Sequence, residues 1–357
     1  MTYEARSREQ MAVLRGKETV RILALETSCD ETAAAVVENG RKIRSNVVFS
    51  QIDLHALYGG VVPEIASRAH MEACARVTGE ALREAGETLD SIDALAVTQG
   101  PGLVGALLTG VNYMKGLAFA AGKPLIPVQH IEGHISANFL AAPELVPPFL
   151  CLVVSGGHSH LAEVSDYGEY RLLGRTVDDA AGEAFDKAAR VLGLPYPGGP
   201  RMDVLAEEGN PEAFELPKPK APGPYDTSFS GLKTAFLNLV NRLTLRGEEL
   251  PKADLAASFR AAVCRELTEK AERLIRDRAR CGSPGLRMAM AGGVSANREL
   301  RRQMAALCAR EGVEFFVPPP ALCTDNGAMI GSAAYFSLLR REAAPLSLNA
   351  EPSLPLF

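Results

Sequence analysis

The sequence is short of several things, and each shortage removes a class of function. It has no excess of positive charge: 38 Lys and Arg stand against 43 Asp and Glu, a formal net charge of −5. No basic field covers the chain, so any nucleic acid must be held by a local patch. No apolar run approaches about 20 residues, and the segment before Arg21 (MTYEARSREQMAVLRGKETV) lacks the apolar middle of a signal peptide. No membrane span is expected, and the expected location is the cytoplasm. The seven cysteines (Cys29, Cys74, Cys151, Cys264, Cys281, Cys308, Cys323) are odd in number, scattered and never spaced CxxC. That pattern fits reduced thiols better than a disulfide framework or a zinc ribbon. The patterns GxxxxGK[ST] and GxSxG are also missing, and with them the P-loop and hydrolase-elbow readings; GxGxxG occurs once, as GPGLVG over Gly100–Gly105, but no acid follows at the spacing of a dinucleotide site, which is not expected.

What is present is enough for two domains: 357 residues, 47% of them hydrophobic. RILALETSCDETAAAVVENG reads as a buried strand, a turn of small polar residues and a second strand closed by Asn39-Gly40. FLCLVVSGGHSHLAEVSDYG repeats the grammar around Ser155-Gly156-Gly157, as an internal duplication would. Between them, ALAVTQGPGLVGALLTGVNYMKGLAFAAGKPLIPVQH reads strand, glycine turn, helix, strand, a βαβ unit with parallel pairing. AAPELVPPF, with three prolines, is the expected linker. The expected organisation is α/β: a loose extension over 1–20, a first lobe over 21–148 completed by a C-terminal helix over 325–341, a second lobe over 149–324, and a flexible tail over 342–357.

Glycine turns that follow strands expose backbone N–H groups, and a helix starting there adds partial positive charge that suits phosphate. Gly100, Gly102, Gly156, Gly157, Gly198, Gly199, Gly292 and Gly293 sit in such turns, and their spread over both lobes points to a nucleotide or another phosphate compound. In HIEGH, His130 and His134 lie four apart, on one face of a helix and about 6 Å apart along its axis. The peptidase motif HExxH carries its glutamate directly after the first histidine; here that place is Ile131. A metal needs a third ligand, and Asp30, Asp178, Asp179, Asp186, Asp203 and Asp325 are all candidates among which spacing does not choose. Asp325 also stands where it could cap a helix. His158 and His160 flank Ser159 beside a glycine turn, where they could touch phosphate or close the hairpin.

LETSCDETAAAVV, HALYGGVVPEIASRAH, TQGPGLVGALLTG, HIEGH, VSGGHSHL, DDAAGEAFDKAARVLGLPYPGGP, SFSGLKTAF, AGGVSANREL and CTDNGAMI together resemble the universal tRNA N6-adenosine threonylcarbamoyltransferase family, formerly labelled O-sialoglycoprotein endopeptidases. The likeness runs from about Arg21 to about Arg340. It implies two ribonuclease-H-like lobes of the actin/Hsp70/sugar-kinase (ASKHA) fold with an active-site cleft between them. It also implies one divalent ion, Fe2+ or Zn2+, on His130, His134 and Asp325. Where some relatives carry another histidine before the first ligand, this chain has Gln129. Substrate contacts carry over to Val153, Val154, Ser155, Gly156, Gly157, Asp186, Gly199, Asp203 and Asn297.

The implied reaction moves a threonylcarbamoyl group from threonylcarbamoyl-AMP to N6 of adenosine 37, 3′ of the anticodon, in tRNAs that read codons beginning with A. That amine is a poor nucleophile, so catalysis rests on positioning and on activating the electrophile. No catalytic base is assigned; His158 and Asp186 are held in reserve. The stretches Arg298–Arg302 and Arg273–Arg280 are candidate tRNA contacts. A paralogous ASKHA-fold subunit and an ATPase subunit are the implied partners. The rival readings are a metallopeptidase and an ASKHA-type ATPase, kinase or nucleotide-binding scaffold.

Overall fold

A computed structural model describes every residue except 248, 282–284 and 357. The chain forms two compact units, the first made of Met1–Pro147, Asp166–Tyr170 and Thr324–Phe357, the second of Pro148–Ser165 and Arg171–Cys323. In the first unit, β1 (Arg21–Glu26), β2 (Glu31–Glu38), β3 (Lys42–Ser50), β4 (Ala94–Gly100) and β5 (Leu125–Gln129) form one sheet in the order β3-β2-β1-β4-β5. β2 runs antiparallel to β1 and β3, while β4 runs parallel to β1 and β5. The near-continuous apolar runs of β1 and β4 are buried along their lengths, as central strands covered on both faces require. Asn39 and Gly40 both take left-handed φ, 51° and 67°, the conformation that an Asn-Gly hairpin turn demands. That turn leads into β3, a third strand beyond the two-strand hairpin read from the sequence.

The second unit repeats the pattern. Its strands β6 (Phe149–Val154), β7 (Ser159–Asp166), β8 (Glu169–Arg175), β9 (Arg287–Ala291) and β10 (Glu314–Phe316) are ordered β10-β9-β6-β7-β8. β6 is antiparallel to β7 and parallel to β9. Read from its first strand outward, each sheet has the same order, so the ribonuclease-H-like unit occurs twice. Its core is built from the long helix Lys252–Arg280 and its neighbours, with Phe185, Phe236 and Phe259 in ring contact.

Both ends of the chain correct the sequence reading. Residues 1–20, expected to be loose, contain a helix over Tyr3–Leu14, N-capped by the Thr2 side chain. Tyr3, Ser7, Met11 and Leu14 are its buried stripe, and the Tyr3 hydroxyl donates to Lys123 O at 3.0 Å. The tail over 342–357, expected to be flexible, runs along the first unit. Ala344 and Leu348 join its core, and the N–H groups of Ala344 and Glu351 donate to Leu125 O (2.8 Å) and Gln99 O (2.9 Å). Position 357 of that tail lies outside the described residues. The helix expected over 325–341 spans Gly327–Leu338, and its cap is Asn326, whose Oδ1 accepts from Met329 N–H at 3.0 Å. Among the described residues no helix is long and apolar enough to cross a membrane.

Candidate metal centre and glycine turns

β5 runs directly into the helix His130–Ala141. The turn between them is fixed by Gln129, whose Oε1 accepts the N–H of Glu132 at 2.9 Å and so caps the helix. The first helical residue is therefore His130, and 3.6 residues per turn place His134 beneath it. Their rings meet edge to face with centroids 4.6 Å apart. Asp325 comes from the other end of the first unit: its Oδ1 lies 3.5 Å from His130 Nε2 and 3.3 Å from His134 Nε2. One donor atom from each of the three lies within 4.8 Å of the other two, and among the described residues this is the group of histidines, cysteines and acids so arranged. Of the six candidate aspartates, Asp325 is the one the fold brings to the histidines. Asn326 takes over the capping that Asp325 could have done.

Glu26, which the sequence reading missed, stands behind the pair. It closes β1 and is fully buried. Its Oε2 is 3.2 Å from His130 Nδ1 and accepts from Thr98 Oγ1 at 2.5 Å, while its Oε1 accepts the Ser28 N–H. A carboxylate behind a ring nitrogen orients an imidazole and raises its basicity as a ligand, leaving Nε2 for a metal. The available signal was an acid ending an apolar strand, which cannot be placed without a partner. His134 lacks such support, since its Nδ1 is buried with no hydrogen-bond partner.

The charge balance of this corner favours a cation. Burial alone would lower the pKa of His130, but Asp325 and Glu26 outweigh it and push it up to about 9. Burial opposes ionisation of Glu26, and His130 overcomes it, holding that carboxyl below its ordinary range. Glu31 is pushed up to about 10 by burial first, then by Asp30 and Asp325. Burial, Asp30 and Asp325 also push the Cys29 thiol up. Carboxylates here exceed the positive charges that could balance them, which a divalent ion would relieve. Two imidazoles and a carboxylate, one imidazole already oriented, fit Zn2+ or Fe2+. Glu132, the remaining acid of HIEGH, accepts from Tyr170 Oη (3.1 Å) and pairs with Arg341 (3.3 Å). It is thereby committed elsewhere, and the centre lacks the glutamate that peptide hydrolysis by an HExxH site uses.

The substrate residues implied by the family likeness all lie in the second unit. Val153 and Val154 are buried in β6, and the chain surfaces at Gly156 and Gly157, where an added Cβ would meet nothing within 4 Å. The turn is closed by Ser155 N–H donating to His158 O (2.8 Å) and His158 N–H donating to Ser155 Oγ (3.2 Å). Gly182 lets the next helix approach this turn, since a Cβ there would sit 2.6 Å from Ser155 O. Gly292, at φ 87°, leaves room for Val154 O, 2.4 Å from where a Cβ would be. Asp186 Oδ1 accepts Gly199 N–H at 3.0 Å. Asp203 Oδ1 is bonded by the Arg260 guanidinium at 2.9 Å and its Oδ2 accepts Arg298 N–H at 3.3 Å, beside Asn297, which caps the helix Arg298–Glu311. The fold thus links these residues through a short series of contacts, with Asp203 engaged by protein groups. His158 and His160 stack edge to face at 5.3 Å.

The basic stretches are largely spoken for. Arg301 donates to Ser295 O, Pro318 O and Cys323 Sγ, so this half-buried side chain clamps a loop. Arg302 pairs with Glu299, Arg276 with Glu272 and Glu311, and Arg278 with Glu163. Arg298, Arg302, Arg273 and Arg280 nevertheless keep most of their side-chain surface in solvent, and exposed ion pairs of this kind are weak.

Comparison with known proteins agrees with these observations. A family model described as TsaD, tRNA N6-adenosine threonylcarbamoyltransferase, matches residues 42–332. The chain is 54% identical over 342 residues to a Clostridium botulinum protein of that name, spanning 95% of this chain and 99% of the relative. It is 55% identical over 336 residues to a Clostridium perfringens protein of the same name, spanning 94% and 98%. Among solved structures it resembles full-length HypF in the phosphate- and nucleotide-bound form, with a TM-score of 0.58 at 14% identity over 89% of this chain and 46% of that one. At that identity the likeness speaks for the fold alone, the two-lobed ASKHA architecture.

Proposed function

The chain belongs to the tRNA N6-adenosine threonylcarbamoyltransferase family, and from that premise we propose that it moves a threonylcarbamoyl group from threonylcarbamoyl-AMP to N6 of adenosine 37 in tRNAs reading codons that begin with A. The observation that carries this reading is the convergence of His130, His134 and Asp325 with Glu26 behind them. These three residues would hold one divalent ion, Fe2+ or Zn2+, whose chemistry when bound is that of a Lewis acid toward an acyl carbonyl or phosphate oxygen.

The rest of the work falls to the chain's own groups. The exposed Ser155-Gly156-Gly157 turn presents backbone N–H groups to the adenylate phosphate, and Asn297 and Asp186 take its sugar or base. Gly199 N–H fixes the Asp186 carboxylate. Asp203, engaged by Arg260 and Arg298, positions Asn297 instead of touching the ligand. Val153 and Val154 contribute the rigid strand from which the turn projects. Because N6 of adenosine is a weak nucleophile, holding it against the acyl carbon supplies much of the acceleration, and neither His158 nor Asp186 is assigned a proton-transfer role. The protein works in the cytoplasm, within a complex that includes a paralogous ASKHA-fold subunit and an ATPase subunit that supports turnover.

The test is mass spectrometry of nucleosides from tRNA incubated with threonylcarbamoyl-AMP, the metal-replete protein and its partner subunits. Threonylcarbamoyladenosine should appear with the intact protein and not with His134→Ala. Equal yields from the two proteins would overturn the assignment.

A further inference from the structure

The C-terminal segment is tied to the first unit at a series of points that converge on the metal-ligand helix. Ala344 N–H donates to Leu125 O in β5 and Lys115 Nζ to Leu348 O at 2.8 Å. Glu351 N–H donates to Gln99 O, and Gly102 N–H donates to Pro352 O at 3.1 Å. The last tie is Gln129 Nε2, which donates to Leu354 O at 3.2 Å. The path is tight enough to dictate sequence: a Cβ on Gly100 would lie 1.9 Å from Glu351 O. Only a glycine lets the segment cross the end of β4.

Gln129 is the point where this segment meets the centre. The same amide that donates to Leu354 O through Nε2 accepts Glu132 N–H through Oε1. Glutamine is not among the favoured helix caps, which are the short side chains of Ser, Thr, Asp and Asn. Its extra methylene brings rotamer freedom that a single cap bond must overcome. A second bond on the other end of the amide removes that freedom. The residue after Gln129 is His130, in the first turn of the helix, where fraying would move Nε2 relative to Asp325. Ligand geometry tolerates displacements of only about 0.5 Å.

We propose that segment 344–354 is a strap that locks the Gln129 amide, and that Gln129, so locked, is a positioning residue for His130 and His134. The strap thereby sets how well the three ligands are preorganised. This rests on the metal reading above for its purpose, and on the hydrogen bonds alone for its mechanics.

Two variants separate the parts. Gln129→Glu keeps an acceptor for Glu132 N–H but replaces the donor to Leu354 O with a second acceptor. Truncation after Ala350 removes the last three ties while leaving buried Ala344 and Leu348 in place. Hydrogen exchange on the metal-stripped proteins reads the mechanics: relative to the intact chain, both variants should speed exchange of the amides of residues 132–136 at least tenfold, with the helix Val104–Ala121 unchanged. Titration of the stripped proteins with Zn2+ against a chelator, and the visible spectrum with Co2+, read the consequence. Both variants should bind Zn2+ about 10- to 100-fold more weakly, the usual cost of losing an outer-shell support, and show an altered Co2+ band. Unchanged exchange at residues 132–136, or faster exchange throughout the first unit, overturns the strap, the latter by making the segment a general stabiliser. If intact protein binds neither ion, the metal reading fails, and the exchange result still decides the strap.

Discussion

The same topological position is used in opposite ways by the two units. Where its first strand ends, the first unit places Glu26 on the strand, the turn Thr27-Ser28-Cys29-Asp30 and then Glu31, a corner loaded with carboxylates, two of them, Glu26 and Asp30, buried. After its first strand the second unit places Ser155-Gly156-Gly157-His158, a turn of bare, exposed glycine. Sheet order is shared, so the backbone supplies the same ledge twice and the side chains decide its sign. Carboxylates and histidines suit a cation, whereas unobstructed N–H groups suit an anion. On the proposed reading, the first-unit turn backs a metal centre whose ligands come from elsewhere in that unit, and the second-unit turn itself would face a phosphate.

The strongest way to break this comparison is on the cationic side. His134→Ala removes one of three ligands while leaving the first unit's core untouched. Transfer should fall roughly 1000-fold, the scale of several kcal/mol of lost charge stabilisation, and metal content by elemental analysis should fall with it. Full metal occupancy and full transfer in that variant would remove the ion from this site. Next is the anionic side: Gly157→Val puts bulk into open space, so the fold should survive while adenylate affinity in a calorimetric titration drops about 100-fold or more. An unchanged affinity would move the adenylate off this turn.

Glu26→Gln gives a smaller effect and sharpens the point, because it keeps the hydrogen bond to His130 Nδ1 but removes the charge. Zn2+ affinity should weaken about 10-fold, at the low end for outer-shell changes. A loss as large as that of His134→Ala would make Glu26 a ligand. The smallest effect comes from comparing Glu26 with a buried acid of the second unit. Glu266 Oε1 is buried without a hydrogen bond, with Lys270 Nζ 3.8 Å away, and burial, only partly offset by Lys270, pushes its pKa up to about 6. A folded-state value above the unfolded one means that the native state holds the proton longer. Stability should therefore fall as pH rises from about 4.5 to about 6, by up to about 2 kcal/mol. Glu266→Gln should flatten that step in denaturant titrations run across this range; an identical pH profile would show that Glu266 titrates normally.

What could be read from the sequence depended on distance along the chain. HIEGH was legible because both histidines belong to one helical turn. Asp325 was not, since six aspartates were equally available to a spacing argument and only the family likeness singled one out. Glu26 stayed hidden because a single acid at the end of an apolar strand has no local mark of its partner 104 positions away. The N-terminal helix went unread for the same reason: its three buried apolar residues and Ser7 pack against distant segments, and between them the sequence is charged. The tail's ties are mostly backbone hydrogen bonds, which leave almost no trace in residue type apart from Gly100. Arg301 shows what a run of like charges conceals: within one cationic stretch its half-buried guanidinium clamps a loop while Arg298 and Arg302 stay exposed.

One feature of the first unit bears on how the protein is made. Its sheet and its two histidines come from the first 147 residues, but Asp325, the helix Gly327–Leu338 and the C-terminal segment arrive only after the whole second unit has been synthesised. Domains tend to fold in order of emergence, at roughly 5–20 residues per second. For on the order of ten seconds or more, the nascent first unit must keep β1 without the helix that belongs against it, while both stretches of the second unit, Pro148–Ser165 and Arg171–Cys323, are already made. On the proposed metal reading, the three ligands are therefore complete only once Asp325 has been synthesised. A chain stalled before Thr324 would carry the two histidines without Asp325, and would hold the proposed ion more weakly than the finished molecule.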